Sequence, residues 1–519
     1  MSIKTRPLDV LFVVPMNPPD LPGGVPDAIE PPKDVRFMAA YLHRRGYGLH
    51  LTDPNVTNQT PEQVAEEVSA ADPSLIVTSV RGFNPTASTM TMPSARELAR
   101  AIKQRSPNVP ILFQGLHPAS VPELTLKTEP DVDFVCGGEG PTTVHELLQA
   151  IQVGGARGIE KVRSLWYRQD GGITHTAPAP LLDLNAELAI DGWKYMDPRK
   201  YVCHHWHAFY TDDLAKRSPY VNPGSSEGCF ASCGFCPIQA QFREGESESG
   251  SEKNSFRKLR PELFVEELQY LVDTFDVRQV KIPDEMFGAG NHPLQITKLI
   301  RERFGESLNI WCYYRIDTCK PDQLETLRSA GIRWLGLGIE AADSTVRDKQ
   351  DKGFSDERIR KVIAALHAAG IEGGLNFIFG LEGDTMKSME ATYRLACELN
   401  GAYGNFYCAQ AYPGSGLYDK AIAAGYPFPK LADGRPDWRA FGQYAYESFP
   451  CYMGNELTSA QILQFRDEKH RAYYARPEWR NRIRKDPKFG EPAIRTIDAW
   501  LAALAPDKLR RKIIEEAHA

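Results

Sequence analysis

The sequence predicts an α/β protein made of two successive parallel-sheet domains and a smaller, mainly helical C-terminal region. Short, continuously apolar segments rich in β-branched residues recur along the chain, and amphipathic helical stretches alternate with them. This alternation is typical of parallel sheets covered by helices. The last part of the chain is rich in Arg, Lys and Trp and has a helical pattern. With 519 residues, the chain is too long for one compact core.

The first α/β series covers residues 1–155. It begins with the strand-like segment "DVLFVVP", and helical stretches separate the later segments "GLHLTD", "SLIVTSV", "PILFQG" and "VDFVCGGEG". This order predicts a doubly wound, Rossmann-like domain, in which ligands bind beyond the carboxyl ends of the strands. The first strand is followed by "PMNPPDLPGG" and not by G-x-G-x-x-G, so the pattern disfavours a dinucleotide ligand.

The rest of the chain divides into three predicted parts. Residues 156–220 are irregular, with turns at "DGG" and "APAP" and the segment "CHHWHAF", and are interpreted as a connector. Residues 221–437 form the second series, in which "QVKIPDEMF", "NIWCYYRID", "WLGLGIEAA", "GGLNFIFGLEGDT" and "GNFYCAQAYPGSG" alternate with helices. This series predicts a full or partial parallel barrel with its working face at the strand ends. Residues 438–519 are predicted to form the helical C-terminal region.

Charge and hydropathy exclude several classes of function. The formal net charge is -6 and no long Lys/Arg run is present, so the sequence disfavours a general binder of nucleic acids or membrane surfaces. No apolar run approaches the roughly 20 residues that a membrane-spanning helix needs. The chain is therefore expected to be cytoplasmic, with no membrane span and no nucleic-acid partner.

The strongest chemical signal is the stretch "EGCFASCGFCP". It contains Cys229, Cys233 and Cys236, with Phe235 directly before the last cysteine. Ten cysteines in a chain of this length are too sparse for a disulfide framework. Three thiolates can hold three irons of a four-iron cluster and leave the fourth iron open to a ligand. Structural zinc would require four closed ligands, and a redox disulfide would require an even pair.

The C-x3-C-x2-C spacing resembles the signature of the radical S-adenosylmethionine (SAM) superfamily. The resemblance implies a [4Fe-4S] cluster at the mouth of a partial (β/α)6 barrel, with SAM chelated to the open iron and cleaved to a 5′-deoxyadenosyl radical. A cofactor supplies that chemistry and the protein directs it. In the second series the resemblance also implies contacts with SAM. The residues expected to make them are Phe235 in the cysteine loop and, at the strand ends, Asp284 with its neighbour Glu285, Arg315, Glu340 and Gly380.

The first series resembles the cobalamin-binding domain that precedes the barrel in one class of this superfamily. Small residues at the strand ends would admit the flat tail of the cofactor between sheet and helix. The motif D-x-H-x-x-G, which supplies a histidine to cobalt, does not occur, so the resemblance implies base-off binding without histidine ligation. The residues that match the domain are Ser79, Gly115, His117, Gly137, Gly138 and Glu139.

The combined resemblance implies a cobalamin-dependent radical SAM enzyme. The favoured activity is methyl transfer to an unactivated carbon, or a phosphinate phosphorus, of a small metabolite or natural-product precursor, with methylcobalamin as the methyl donor. The expected partners are this substrate and an external one-electron reductant such as flavodoxin or ferredoxin. No residue is assigned as a general acid or base.

Three alternatives stay open. The first is a non-methylating oxidative cyclase, of the type that acts on chlorophyll precursors, or a rearrangement enzyme. The second, from another functional class, is a sensor or carrier that uses cobalamin and a structural cluster. The third, methylthiolation of transfer RNA, is disfavoured because the sequence has no second cysteine triplet and no basic RNA-binding module.

Overall fold

The structure is a computed structural model that describes residues 8–16, 28–82, 88–153, 156–186, 189–242, 255–442 and 457–503. It contains two large, mainly parallel sheets, each with helices on its faces, and a helical C-terminal part. This arrangement confirms the predicted fold class. No helix within the described ranges is long and apolar enough to cross a membrane.

The N-terminal part alternates strands with helices up to α7 and ends in a hairpin. Its elements are β1 (Val10–Val13), α1 (Lys33–His43), β2 (Leu49–Thr52), α2 (Pro54–Thr57), α3 (Pro61–Ala71), β3 (Leu75–Ser79), α4 (Ser88–Arg105), β4 (Ile111–Gln114), α5 (Leu116–Ser120), α6 (Pro122–Thr128), β5 (Phe134–Cys136), α7 (Pro141–Val153), α8 (Ala156–Ile159), β6 (Leu165–Gln169) and β7 (Gly172–His175).

The strands of this part form one sheet in the order β2-β1-β3-β4-β5-β6-β7 among the described residues. The first five strands run parallel, and β6 and β7 add antiparallel to β5. All four residues of β1 are buried, which explains its uninterrupted apolar sequence. The sheet thus extends past residue 155 into the predicted connector, because Leu165 and Tyr167 of β6 alternate inward and extend the buried face.

The middle of the chain leads through short elements into the second sheet. They are the 3-10 helices Ala189–Tyr195 and Pro198–Lys200, α9 (Leu214–Arg217), β8 (Tyr220–Val221), β9 (Ser226–Glu227), the 3-10 helix Ile238–Phe242, and β10 (Arg257–Lys258). Strands β9 and β10 pair antiparallel and flank the cysteine loop. The predicted domain boundaries at residues 155, 220 and 437 remain a prediction.

The second sheet is wholly parallel in its described part, with the order β15-β14-β13-β12-β11-β8. Its remaining elements are α10 (Pro261–Phe275), β11 (Gln279–Ile282), α11 (His292–Phe304), β12 (Asn309–Arg315), the 3-10 helix Pro321–Gln323, α12 (Leu324–Arg328), β13 (Ile332–Glu340), α13 (Ser344–Asp348), α14 (Asp356–Ala368), β14 (Glu372–Phe379), α15 (Met386–Leu399), β15 (Tyr403–Cys408) and α16 (Gly416–Ala423). The topology is that of a half-barrel, with its cysteine loop at the carboxyl ends of the strands.

An aromatic cluster closes the opposite end of the half-barrel. The Trp206 ring stacks on Tyr403 at 4.7 Å between centroids and meets Trp311 and Trp334 edge to face. Trp311, Trp334 and Tyr403 lie near the beginnings of their strands. The segment "CHHWHAF" therefore packs the base of the sheet, away from the cysteines, as aromatic residues at such junctions commonly do.

The C-terminal part consists of the 3-10 helix Trp438–Phe441 and of α17 (Ser459–Ala475), α18 (Pro477–Lys485) and α19 (Gly490–Ala503). Two tyrosines of α17 attach it to the edge of the second sheet, since Tyr473 donates to the Gly401 carbonyl at 2.7 Å and Tyr474 to that of Gly404 at 3.0 Å. The predicted helical character of this region is confirmed for the described residues 438–442 and 457–503, while residues 443–456 and 504–519 lie outside them.

Candidate functional site

The three predicted cluster cysteines line a single cavity of about 250 Å³ at the carboxyl ends of the second sheet. Gly228 begins the loop with φ +79°, and a Cβ there would lie 2.3 Å from the Ser255 carbonyl oxygen. The Ser255 hydroxyl donates to the Cys229 carbonyl at 3.1 Å, and the Gln239 side-chain amide donates to the same oxygen. These hydrogen bonds hold the backbone of the loop, and its three thiols line the cavity.

The thiols are buried, and this burial controls their protonation. It raises the pKa of Cys229 to about 11 and also raises the pKa values of Cys233 and Cys236. Three thiolates at this position would need a compensating positive charge, which bound metal ions would supply. In the described part of the chain no group of three or more His, Cys, Asp or Glu side chains is placed to hold a single metal ion.

Two cations lie beside Cys233. Arg315 donates from Nη1 to the Cys233 sulfur at 3.5 Å and pairs through Nη2 with Asp317 at 2.9 Å. Lys352 pairs with Glu340 at 2.8 Å, and both side chains are almost fully buried. The lining of the cavity includes Arg315, Lys352 and Glu340, so its cysteine end carries ionic groups as well as thiols.

Local backbone geometry explains how Glu340 reaches the cavity. The pairing of β13 with β14 shifts register between Gly338 and Glu340, and Glu340 has φ +66°. A Cβ on Gly338 would lie 2.4 Å from the Glu340 carboxylate and 2.9 Å from Lys352 Nζ. The ion pair thus folds over Gly338, and strained backbone of this kind is often found at functional sites.

The neighbouring acids Asp284 and Glu285 have different environments. Asp284, the predicted contact for SAM, is fully buried and does not line the cavity. It accepts hydrogen bonds from the Ser225 amide and hydroxyl and from the Ser226 hydroxyl, at 2.8, 2.5 and 2.7 Å. Its carboxylate therefore anchors the strand before the cysteine loop. Glu285 lines the cavity in its place, and burial raises its pKa.

A second cavity of about 80 Å³ lies between the two sheets. Its lining combines the strand ends of the N-terminal sheet, including Ser79 and Arg81, with the barrel residues Asn222 and Glu285. Glu285 and Tyr313 line both cavities. Three ion pairs surround this second cavity, namely Lys33–Glu227 at 2.6 Å, Arg81–Asp34 at 2.6 Å and Lys281–Glu30 at 2.7 Å.

Among the N-terminal predictions, Ser79 lines the interdomain cavity and its hydroxyl lies 3.5 Å from the Gln114 side-chain oxygen. Gly115 has φ +130°, and a Cβ there would lie 2.3 Å from the Val80 carbonyl oxygen. Its small size therefore serves the turn after β4 itself. His117 is buried, with Nδ1 3.0 Å from the Thr89 hydroxyl and its ring 4.5 Å from that of Trp438.

The environment of His117 keeps its imidazole neutral. Burial lowers its pKa to about 3. Its Nε2 atom is buried and has no hydrogen-bond partner among the described residues. An unsatisfied buried nitrogen is costly, so a bound group with a polar atom would stabilise this position.

The "CGGEG" residues participate in protein contacts. The Gly137 amide donates to the Ser164 carbonyl at 2.9 Å, and a Cβ on Gly138 would lie 3.0 Å from the Ser164 hydroxyl oxygen. Glu139 pairs with Arg257 of β10 and accepts from the Leu182 amide at 2.9 Å. None of the three residues lines either of the two cavities described above.

In the second sheet, the cavity brings together Cys229, Cys233, Cys236, Phe235, Arg315 and Glu340. Gly380 lies outside its lining. Gly380 has φ +78°, its amide donates to Asp384 at 3.0 Å, and a Cβ would lie 2.6 Å from an Ile462 side-chain carbon. It therefore forms a turn that packs against the C-terminal helix α17.

Sequence reasoning missed several polar residues of this cavity. Asn376 interrupts the apolar strand β14, and Gln410 lies two residues after the end of β15. A polar residue within or just beyond an apolar strand could have signalled both positions. Lys352 lies in a loop where no periodicity points to the cavity. Tyr313 and its neighbour Tyr314 also line the cavity.

Two protein-family models match this chain. The model described as "B12 binding domain" matches residues 23–148, and the model described as "Radical SAM superfamily" matches residues 225–396. The first match falls within the N-terminal sheet and its helices. The second begins just before the cysteine loop and covers the second sheet as far as α15.

Curated relatives match at low identity over most of the chain. A protein of Pyrococcus horikoshii named as an uncharacterized methyltransferase is 24% identical over 449 residues, which span 86% of this chain and 88% of the relative. The anaerobic magnesium-protoporphyrin IX monomethyl ester cyclase of Rubrivivax gelatinosus is 24% identical over 398 residues, which span 75% of this chain and 66% of the relative.

A solved structure shares the fold. The radical SAM methyltransferase TsrM from Kitasatospora setae, with tryptophan substrate and a SAM analogue bound, superposes with a TM-score of 0.62 at 17% identity. The likeness covers 81% of this chain and 77% of TsrM. At this identity the comparison shows a common architecture, in which a parallel sheet domain precedes a parallel half-barrel.

Proposed function

Because the chain belongs to the radical SAM superfamily and carries a B12 binding domain, we propose that it is a cobalamin-dependent methyltransferase acting on an unactivated carbon, or a phosphinate phosphorus, of a small molecule. One observation carries the proposal. The cysteine-lined cavity and the interdomain cavity share Glu285 and Tyr313, so the strand ends of both domains open toward one common region. A methyl donor and a radical source must both reach the same substrate atom, and this arrangement suits that requirement.

The residues at the cysteine end fit an iron–sulfur cluster and SAM. Three thiols line one cavity, and cations lie beside Cys233 to offset thiolate charge. We assign the cluster to Cys229, Cys233 and Cys236. Glu285 takes the place of Asp284 as the partner of the SAM amino group, since a carboxylate that lines the cavity suits a cation.

The N-terminal residues that fit cobalamin are Ser79 and Gly82, which line the interdomain cavity, and His117, whose buried Nε2 has no partner in the described part of the chain. The other N-terminal assignments, Gly115, Gly137, Gly138 and Glu139, remain predictions whose present contacts are within the protein. Asn17–Pro19, from the first predicted strand end, lie outside the described residues.

When bound, these cofactors supply reductive cleavage of SAM and a transferable methyl group. The contribution of the protein is position and exclusion of water. Tyr313, Tyr314, Ile378 and Tyr407 line the cysteine cavity and present mainly apolar surface to it. A carbon-centred radical reacts with whatever it contacts, so a close, dry lining directs it to the substrate.

The test is anaerobic reconstitution with iron, sulfide, hydroxocobalamin and SAM, followed by mass spectrometry. We expect 5′-deoxyadenosine, S-adenosylhomocysteine (SAH) and a gain of about 14 Da on a candidate small molecule, the mass of one added CH2 unit. Cys233→Ala should abolish cluster absorbance and SAM cleavage, whereas Cys397→Ala, on α15 outside the cavity, should retain both. Zinc in place of iron, or an unchanged cluster spectrum on addition of SAM, would contradict the proposal.

The cyclase relatives favour one second candidate, a non-methylating oxidative cyclase. The same cofactor sites would serve it, and only the fate of the substrate radical would differ. SAH distinguishes the two functions, because methyl transfer forms it and oxidation does not. A product that loses hydrogen without SAH formation would select the cyclase.

The proposed partners are a small-molecule substrate and a one-electron carrier of the flavodoxin or ferredoxin type. A nucleic-acid partner is not expected. The basic helix α18 directs its arginines to partners within the chain, namely Arg480 to Asp498, Arg482 to Glu372 and Arg484 to Glu491. A reducing, cytoplasmic location suits free cysteines and remains a prediction.

A further inference from the structure

Phe230 is an exposed aromatic residue inside the cysteine loop. It directly follows Cys229, and 45% of its surface is exposed. Its ring meets that of Phe256 edge to face at 5.5 Å, and Phe256 packs against the small apolar cluster that contains Cys229, Met286 and Ala289. The two rings therefore form an apolar surface next to Cys229, one of the assigned cluster ligands.

Two exposed cations border this surface. Lys258 lies with its ammonium 5.4 Å from the Phe256 ring and donates to the Ala289 carbonyl at 3.3 Å. Leu259 is buried between Lys258 and Arg260, both of which are exposed, so the two cations share the outward face of an extended segment. Neither has a carboxylate partner among the described residues.

Other cations near the cysteine cavity are paired, which makes these two distinctive. Within the described ranges, the paired examples are Arg315 with Asp317, Lys352 with Glu340, Arg257 with Glu139, and Lys349 and Lys420 with Glu382. Among the described residues, Lys258 and Arg260 thus place positive charge without a paired carboxylate beside exposed aromatic surface. An apolar centre with a charged rim is the usual composition of a protein docking site.

We propose that Phe230, Phe256, Lys258 and Arg260 form the docking patch for an acidic one-electron carrier protein that reduces the cluster. This inference rests on the proposed function, since a cluster that cleaves SAM must be reduced again by an external electron donor. Electron-transfer complexes are small and transient, so a compact patch is sufficient. In each transfer one electron leaves a flavin hydroquinone, which becomes a semiquinone, and enters the cluster; no covalent bond forms or breaks.

The test compares two reductants on the reconstituted holoenzyme. Cluster reduction is followed by loss of visible absorbance in a stopped-flow instrument, with either flavodoxin hydroquinone or dithionite as donor. Lys258→Glu and Phe230→Ser should each slow reduction by flavodoxin about tenfold, because rim charges and central aromatics govern encounter and docking. Dithionite needs no docking site, so its rate should change less than about twofold.

Matched controls are Lys361→Glu on α14 and Ile422→Ser on α16, an exposed cation and an exposed apolar residue outside the patch. Their rates should equal wild type with both donors. Salt should slow the flavodoxin reaction of wild type and affect Lys258→Glu less. Unchanged flavodoxin rates in both patch variants, or an equal loss with both donors, would overturn the docking proposal.

The readout separates this proposal from the function itself. Wild-type protein whose cluster accepts electrons but yields no 5′-deoxyadenosine with SAM would contradict the proposed function. The dependence of cluster reduction on Phe230 and Lys258 would still support the docking patch in that case. Formation of deoxyadenosine with all variants at wild-type flavodoxin rates would overturn the patch alone.

Discussion

Side-chain direction at single residues decides which groups of this chain face its cofactors. Asp284 and Glu285 are adjacent in sequence, yet the first is saturated by hydrogen bonds from Ser225 and Ser226 and the second lines two cavities. Glu285 has no hydrogen bond or ion pair to any other described residue. A carboxylate without a protein partner is available to a ligand, whereas a saturated one maintains the fold.

This difference predicts opposite effects for the two acids. Asp284→Ala should lower the free energy of unfolding by about 2 kcal/mol, because it leaves the Ser225 amide and two hydroxyls without their acceptor. Glu285→Gln should change that free energy by less than about 0.5 kcal/mol and weaken SAM binding about tenfold or more, since a charge-assisted contact is lost. Urea titration and equilibrium dialysis measure the two quantities. Equal effects of the two substitutions on SAM binding would contradict the assignment.

Buried histidines predict a loss of stability in acid. Burial lowers the pKa of His117 to about 3, well below its ordinary value of 6.5, so the folded protein cannot take up the proton that the unfolded chain binds. Stability is therefore complete above about pH 6.5 and decreases as the pH falls toward 3, by up to roughly 1.4 kcal/mol per pH unit for each such group.

His117→Gln tests this pH dependence. In the apoprotein the variant should show a smaller decrease in urea midpoint between pH 6.5 and pH 5 than wild type, because one source of differential proton uptake is gone. His207 and His470, whose pKa values burial also lowers to about 3, would retain their share. Identical slopes for variant and wild type would show that His117 does not contribute.

At the scale of elements, strand ends and the C-terminal helices hold the cysteine cavity in shape. The register shift in β13 brings Glu340 and Lys352 over Gly338. On the outer side, Glu372 at the start of β14 is buried and accepts ion pairs from Arg482 of α18 and from Lys488. The C-terminal helices are thus fastened to the half-barrel by one carboxylate as well as by the tyrosines of α17.

Loss of that carboxylate should loosen the C-terminal helices. Glu372→Gln removes the carboxylate partner of Arg482 and one of the two carboxylate partners of Lys488, and should lower the free energy of unfolding by about 1–2 kcal/mol, because both cations are partly exposed. Limited proteolysis should then cleave within α17–α19 earlier than in wild type. Glu491→Gln, which removes the exposed partner of Arg484, serves as the control and should have little effect.

At the scale of the whole molecule, buried ion pairs at and near helix α1 connect the N-terminal domain to the half-barrel. Arg36 of α1 is almost fully buried and pairs with Glu267 of α10, which also accepts from the Trp193 indole at 2.7 Å. Glu30 pairs with Lys281 of β11 in the same interface. These contacts join the N-terminal domain to the half-barrel, and Glu30 also lines the cavity between the two sheets.

Glu267→Gln should therefore weaken the coupling between the domains. The substitution leaves the Arg36 guanidinium buried without its counter-charge, at a cost of about 3 kcal/mol. Differential scanning calorimetry should show separated transitions where wild type shows a more cooperative one. Glu266→Gln, an exposed neighbour on the same helix, should leave the profile unchanged. A Glu267→Gln profile identical to wild type would contradict this role.

The sequence by itself determined the two α/β series, their order and the cysteine loop. Strand and helix periodicities are local, and the spacing of Cys229, Cys233 and Cys236 within one loop needs no distant partner to be recognised. The apolar period and the initial proline of α10 (Pro261–Phe275) are local signals of the same kind. The connector was harder, because the hairpin β6–β7 gains its stability from β5, which is distant in sequence.

Only the tertiary structure decided which side chains face the cavities. Asp284 and Glu285 both carry a carboxylate, so sequence alone does not separate them. Their side chains point in opposite directions because Asp284 packs against Ser225 and Glu285 faces the space between the sheets. Lys352 reaches Glu340 from a loop, and Tyr313 joins the two cavities only when both domains are in place. Local pattern specifies elements, but contacts between distant segments arise from the packing of those elements, so the geometry of the site required the folded molecule.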